Sequence, residues 1–271
     1  MFIDSHCHLD RVDLKPYSNS VAEYLEATKA DLLDHMLCVS INWEDYPAMR
    51  DLVAEHAKIS LSVGVHPNEL DGHNPSVEEL VEMALADSAV AIGETGLDYY
   101  RLENQADVAD QQQRFRNHIS AAKQTNKPLI IHTRDAREDT IKIMQEEGAG
   151  ETGGVLHCFT EDWEMAEKAL EMNFYISFSG IVTFKNAKQV HEVAKKVPND
   201  RFLIETDSPY LAPVPKRGKP NYPNYVKYVA ERMAELRGMP LASVANITSK
   251  NYDTLFNRWI NFASQFLLRK G

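Results

Sequence analysis

The sequence predicts one domain built as a (β/α)₈ TIM-type barrel, with a metal site at the C-terminal rim of its strands. Three observations carry this reading. Short apolar, β-rich segments recur eight times; polar loops and helical patterns separate them; and histidines and carboxylates fall just after the segments. Strands that alternate with helices pair in parallel through crossovers, and eight such units close into a barrel whose active site lies at the strands' C-terminal ends.

The segments read as strands are residues 1–5, 35–41, 59–65, 89–93, 128–131, 154–157, 174–179 and 202–206. Apolar spacing of three and four residues marks helices at 77–85, 111–124 and 163–172. After the eighth strand a proline-rich loop runs from Pro209 to Pro223, and helical patterns come next at 225–237, 241–247 and 248–257. The barrel is assigned to residues 1–258. Residues 259–271 form a C-terminal tail, expected to be helical and packed on the barrel exterior. Few basic residues flank its apolar stretch, which argues against a membrane-surface role.

A chain of 271 residues suits one large core, and 44% hydrophobic with 25% charged residues is ordinary for a soluble protein. The formal net charge is −11. Affinity for long nucleic acid comes from Lys and Arg displacing counterions, so a nucleic-acid substrate here must be gripped locally or through bound metal ions. Cys7, Cys38 and Cys158 are odd in number and widely spaced, which implies no disulfide framework. Residues 1–6 lack the basic-then-apolar order of a signal peptide, and no apolar run approaches bilayer length. The expectation is a cytoplasmic monomer with no membrane partner.

The chemistry-bearing residues gather at one rim. His6 and His8 follow the first strand, His66 the third, Glu94 the fourth, His132 the fifth, His157 the sixth and Asp207 the eighth. Residues two apart on a strand share a side, so His6 and His8 can face one ion while Cys7 turns into the core. A His-x-His pair alone is often incidental. Four histidines and two carboxylates on one rim, His6, His8, Glu94, His132, His157 and Asp207, point to a metal site. His35, His56, His73, His118 and His191 lie in helical patterns, polar loops or the start of a strand and are read as ordinary. Cys158, like Cys7, is read as a core filler rather than a ligand.

The motifs Asp4-Ser5-His6-Cys7-His8-Leu9-Asp10, Gly64-Val65-His66-Pro67, Gly93-Glu94-Thr95-Gly96-Leu97-Asp98-Tyr99, His132-Thr133-Arg134-Asp135-Ala136, His157-Cys158-Phe159-Thr160 and Glu205-Thr206-Asp207-Ser208-Pro209-Tyr210-Leu211 together are highly specific. On them the chain resembles the TatD family of metal-dependent deoxyribonucleases, within the amidohydrolase-like barrels. The resemblance runs from Phe2 to about Phe256. It implies that His6, His8, Glu94 and Asp207 hold one metal, and that Glu94, His132 and His157 hold a second, with Glu94 bridging. Two ions need a shared anionic ligand against their mutual repulsion. Relatives in the wider group use a carboxylated lysine on the fourth strand, and here that strand ends in Glu94, which is anionic without modification.

Two divalent ions about 3.5–4 Å apart lower the pKa of a bound water and polarise a phosphoryl oxygen. The expected reaction is attack of a metal-bound hydroxide on a phosphodiester at a nucleic-acid end, with Asp207 and Glu94 as catalytic carboxylates and Asp207 taking the water proton. His66 and Arg134 are the expected substrate contacts, since a guanidinium suits bidentate phosphate binding. Glu205 is expected to orient a ligand histidine. Lys216 and Arg217, in the loop after the eighth strand, are weaker candidates for backbone contact. Phosphoryl chemistry favours Mg²⁺ or Mn²⁺ for activity, while imidazole ligands also suit Zn²⁺ or Ni²⁺. Two other readings stand beside this one. One is a hydrolase for an ester or amide in a small molecule or aminoacyl-tRNA, because the same ions polarise a carbonyl. The other is a non-catalytic metal-binding interaction protein, against which the full ligand set argues.

Overall fold

Alternating aliphatic segments form eight parallel strands in a computed structural model that describes residues 1–87, 89–100, 102 and 104–256. They are β1 (Phe2–Cys7), β2 (Leu33–Cys38), β3 (Ile59–Val63), β4 (Ala91–Asp98), β5 (Leu129–Arg134), β6 (Gly154–Leu156), β7 (Phe174–Phe178) and β8 (Phe202–Ile204), paired in chain order. Between and after them run α1 (Val21–Ala27), α2 (Tyr46–Val53), α3 (Val77–Ala86), α4 (Gln105–Thr125), α5 (Arg137–Glu146), α6 (Trp163–Glu171), α7 (Lys188–Lys196), α8 (Val226–Arg237) and α9 (Leu241–Phe256). This is the predicted barrel. Its seam closes at the rim: the backbone N–H of Asp207 donates to His6 O at 3.0 Å, and that of His8 to Ser208 O at 2.8 Å. The two ligand-bearing segments are thus stitched together by the closure itself.

Two apolar layers hold the barrel. One lies between strands and helices. The other fills the interior, where Ile3, Leu37, Ala91, Ile130, Val155, Tyr175 and Leu203 come from seven different strands and pack with Tyr252, Leu255 and Phe256 of α9. This interior set fixes which face of each strand points inward. On β5, β6 and β8, strict alternation from Ile130, Val155 and Leu203 carries His132, His157, Glu205 and Asp207 to the inner side. On β4 it would carry Gly93 and Thr95 inward and leave Glu94 facing the helices. A register irregularity between Ile92 and Thr95 sets three residue steps of β4 against two of β5. A second irregularity lies between Asp4 and Cys7 of β1. An extra residue of this kind reverses the facing of the residues beyond it. It turns Glu94 and His6 inward and puts Cys7 among the residues packed under the helices.

Three strands, β1, β4 and β5, run further than their apolar segments suggest, while the other five end sooner. His6, Glu94 and His132 lie within β1, β4 and β5, not after them. Backbone pairing is indifferent to side-chain polarity, and Thr95, Gly96, Leu97 and Asp98 continue the ladder opposite Ile131, His132, Thr133 and Arg134. Gly96 is required there. Its φ is +132°, and a Cβ would stand 2.0 Å from His132 O. Helix α4 starts at Gln105 because Asn104 caps it, its side chain accepting from Asp107 N at 3.0 Å. Helix α9 is one element where the pattern suggested two segments. The Thr248 hydroxyl donates to Val244 O at 3.0 Å, within the helix, and does not interrupt it.

The expected tail at 259–271 lies outside the described residues. Among the described residues no helix is long and apolar enough to cross a membrane. The three cysteines are free; Cys7 and Cys38 are buried, and burial pushes the Cys38 thiol up to about 12. Cys158 departs from its expectation as a core filler: it is only half-buried, with Sγ 3.1 Å from Ser179 Oγ. The chain leaves β6 there in a left-handed turn, φ +43°, which holds the side chain at the rim.

Candidate metal centre

Glu94 stands at the middle of the barrel mouth, 2% exposed, and its two oxygens face different partners. Oε2 lies 3.4 Å from His6 Nε2 and 3.7 Å from His8 Nε2. Oε1 lies 2.7 Å from His157 Nε2, 3.1 Å from His132 Nδ1 and 3.4 Å from His66 Nε2. Asp207 completes the first group, with Oδ1 3.8 Å from His6 Nε2 and 3.4 Å from His8 Nε2. All six expected ligand residues therefore meet around one carboxylate.

Local structure aims each ring. His6 and His8 bring their Nε2 atoms within 3.3 Å of each other, as residues two apart should. His8 Nδ1 lies 2.9 Å from Val39 O; a carbonyl only accepts, so the proton sits on Nδ1 and Nε2 is left facing the site. The His6 and His157 rings stack with centroids 4.0 Å apart. Asp207 sits at φ +56°, which an aspartate tolerates, and this turn brings its side chain back over the mouth. His66 is presented by the loop after β3. That loop is held by His118, whose Nε2 accepts from Val65 N at 3.0 Å while Nδ1–H donates to Arg114 O at 2.8 Å. The buried His118 thus has a structural job, consistent with its reading as ordinary.

The electrostatics are those of a site short of positive charge. Burial alone would raise the Glu94 carboxyl, but the imidazoles around it, His157 and His66 foremost, outweigh that and hold it well below the usual range. Asp207 is likewise raised by burial and lowered more strongly by His8 and His6. Burial disfavours a charged His157, yet Glu94 and Glu205 push it well above its ordinary value. Burial also opposes charge on His132 and His8, and carboxylates win at both: Asp98 with Glu94 at His132, and Asp207 with Glu94 at His8. Burial pushes His66 down to about 3. Every ion pair made by Glu94 among the described residues is with a histidine. Protonation is favoured at His8, His132 and His157 and disfavoured at His6 and His66, and protons on the first three supply charge of the kind a divalent cation would bring.

The donor set fits such cations. His6, His8 and Asp207 bring one ligand atom each within 4.8 Å of one another, as do His66, Glu94 and His132, and His6, His157 and Glu205. His6 Nδ1 is buried without a hydrogen-bond partner. Imidazole nitrogen and carboxylate oxygen at this density are metal-binding chemistry.

Of the remaining expected residues, Glu205 lies behind this centre, and the basic side chains have other partners. Glu205 is fully buried; Oε1 lies 3.3 Å from His157 Nδ1 and accepts from Cys158 N at 2.6 Å, and Oε2 accepts from Ser177 Oγ at 2.5 Å. Arg134 is exposed at the end of β5, its guanidinium 3.7 Å above the Tyr100 ring, and it makes no ion pair with Asp135 among the described residues. Lys216 and Arg217 lie over the rings of Tyr225 and Phe184. Sequence reasoning missed Asp98, which is buried with Oδ2 3.3 Å from His132 Nε2. A signal existed: Asp98 is four residues beyond Glu94 on one strand, hence on the same face.

Residues 3–257 match the family model described as TatD related DNase. The chain belongs to the TatD family. It is 48% identical over 256 residues to the Escherichia coli K12 uncharacterized metal-dependent hydrolase YcfH, covering 94% of this chain and 95% of that one. To the Bacillus subtilis uncharacterized metal-dependent hydrolase YabD it is 43% identical, covering 94% and 99%. Among solved structures, the TatD homologue YJJV of Escherichia coli K12 superposes with a TM-score of 0.84 at 27% identity, covering 94% of this chain and 98% of that one. The protein is a metal-dependent hydrolase of the TatD family.

Proposed function

We propose that this TatD-family protein is a deoxyribonuclease that cleaves phosphodiester bonds at nucleic-acid ends with two divalent ions, Mg²⁺ or Mn²⁺ in activity. Zn²⁺ or Ni²⁺ suits the same donors. The observation that carries the reading is the division of Glu94 between two groups of imidazoles, one on each carboxylate oxygen. His6, His8, Glu94 and Asp207 would hold one ion, and Glu94, His132 and His157 would hold the other. The ions supply Lewis acidity at a phosphoryl oxygen and a more acidic water.

The chain's own residues do the rest. Asp207 accepts the proton of the attacking water from its place beside His6 and His8. His66, 3.4 Å from Glu94, contacts the phosphate at the centre, and Arg134 at the rim neutralises a flanking one. Glu205 steadies His157 from behind. The net charge of −11 favours short, end-on engagement over a long duplex footprint.

A metal-reconstituted screen over single-stranded DNA, RNA, aminoacyl-tRNA and a p-nitrophenyl ester tests this. The expected result is metal-dependent release of nucleotides from DNA ends. Turnover of the ester or the aminoacyl bond without phosphodiester cleavage would replace the reading with a carbonyl hydrolase. Metal uptake without turnover of any of the four would contradict it as well.

A further inference from the structure

Asp98 takes no part in the expected ligand set, yet it is a firmly anchored carboxylate beside it. It is 1% exposed. Its backbone is clamped by Gln111, whose Oε1 accepts from Asp98 N at 2.9 Å and whose Nε2 donates to Asp98 O at 3.1 Å. Oδ1 accepts from Tyr100 N at 3.1 Å. Oδ2 accepts from Asn68 Nδ2 at 2.8 Å and lies 3.3 Å from His132 Nε2. Asn68 in turn donates its backbone N–H to His66 Nδ1 at 3.0 Å. One carboxylate therefore reaches two imidazoles, His132 directly and His66 through Asn68. The two rings are neighbours, with centroids 4.5 Å apart.

The two links act in opposite senses. An ionised carboxylate only accepts, and His132 faces one at each nitrogen, Glu94 at Nδ1 and Asp98 at Nε2; with a cation taking the Nδ1 side, Asp98 keeps the His132 proton on Nε2 and leaves the Nδ1 lone pair for that cation. A backbone N–H only donates, so Asn68 makes His66 Nδ1 an acceptor. The proton of a neutral His66 is then on Nε2, the atom aimed at Glu94. His132 offers the site a lone pair, and His66 offers it an N–H. Both rings stand beside Glu94 Oε1, and distance alone does not separate them. Tautomer does.

We propose that Asp98 is a positioning residue that sorts these two rings, making His132 a metal ligand through Nδ1 and His66 a hydrogen-bond donor through Nε2. The assignment of that donor to a substrate oxygen rests on the function proposed above; the sorting does not. On this proposal His66, although within ligand distance of Glu94 and His132, is not a seventh ligand.

The test uses full-length protein with ¹⁵N-labelled histidine, loaded with Zn²⁺ as a diamagnetic probe. Long-range ¹H–¹⁵N correlation spectra report which ring nitrogen carries the proton and which is coordinated. The expected wild-type pattern is Nε2–H with coordinated Nδ1 at His132, and Nε2–H with free Nδ1 at His66. In Asp98→Ala the His132 pattern should become mixed or reverse. One of two zinc ions should bind about 10–100-fold more weakly, the usual size of such an effect, while the other keeps its affinity. A purely structural role for Asp98 would lower stability without changing the ring pattern. His132 coordinated through Nε2, or His66 coordinated at all, overturns the proposal in the wild type alone, so it stays testable if Asp98→Ala does not fold. Unchanged zinc affinities and ring pattern in a folded Asp98→Ala protein overturn it too. A protein with the expected ring states that cleaves no phosphodiester would defeat the functional reading and leave this one standing.

Discussion

Glu94 and His157 make the closest ion pair of the site, Oε1 to Nε2 at 2.7 Å, while the other oxygen of Glu94 faces His6 at 3.4 Å. A single carboxylate that divides itself in this way is placed to bridge two cations. Glu94→Gln removes the charge and keeps the shape. Elemental analysis should show fewer than two bound ions per chain, and turnover should be abolished, because a neutral amide does not offset two dications. Full stoichiometry with full activity would show that Glu94 is not a bridge.

Asp207→Asn separates proton transfer from binding. Four imidazoles and Glu94 remain, so most of the metal and the fold should persist. General-base catalysis is worth about 10²–10⁴ in rate, and kcat on a phosphodiester should fall by that factor with little change in Tm. A carboxylate that only braced its Ser208-Pro209 turn would instead cost stability and leave kcat per folded molecule near normal. Measuring kcat, Tm and metal content on one preparation distinguishes the two.

Gly96→Ala tests how the barrel positions His132. The new Cβ would meet His132 O at 2.0 Å on a backbone with φ +132°. Strain and overpacking together should destabilise by about 2–5 kcal/mol in urea unfolding, and metal affinity should drop because His132 must shift. A variant of wild-type stability and metal content would mean that β4 and β5 do not approach this closely.

Acid sensitivity of the metal-free protein should trace in part to His118. Burial lowers its folded pKa to about 4 from 6.5. The unfolded chain takes up a proton below pH 6.5 that the folded chain refuses until about pH 4, so stability falls as pH drops across that window and levels off beneath it. The full loss is about 3 kcal/mol for this one group. Denaturation midpoints between about pH 7.5 and 4.5 should decline less steeply in His118→Gln than in the wild type. Parallel curves would remove His118 as a source of the acid sensitivity.

Much of this is legible from side-chain pattern alone, and the limits are physical. The barrel and its rim follow from periodicity, and on β5, β6 and β8 simple alternation places His132, His157 and Asp207 on the inner face. On β4 alternation points Glu94 the wrong way, and only the bulge between Ile92 and Thr95 corrects it. A bulge is a backbone event with no side-chain period, so motif likeness rather than spacing singles out Glu94. Apolar segments end too early at β1, β4 and β5 because polarity does not end a strand: backbone pairing continues through Gly96 and Asp98. Asp98 escapes a reading by motif because its role lies in a neighbour from another strand, His132, although it stands four residues from Glu94 on the same face.

In the proposed function Glu94 joins two ions at the barrel mouth. Crystals soaked in Mn²⁺, with anomalous differences measured above and below the manganese absorption edge, test it most directly. Two peaks about 3.5–4 Å apart are expected, one on each side of the Glu94 carboxylate, the first among His6, His8 and Asp207 and the second beside His132 and His157. A single peak at saturating metal, or two peaks that do not share Glu94, would contradict it.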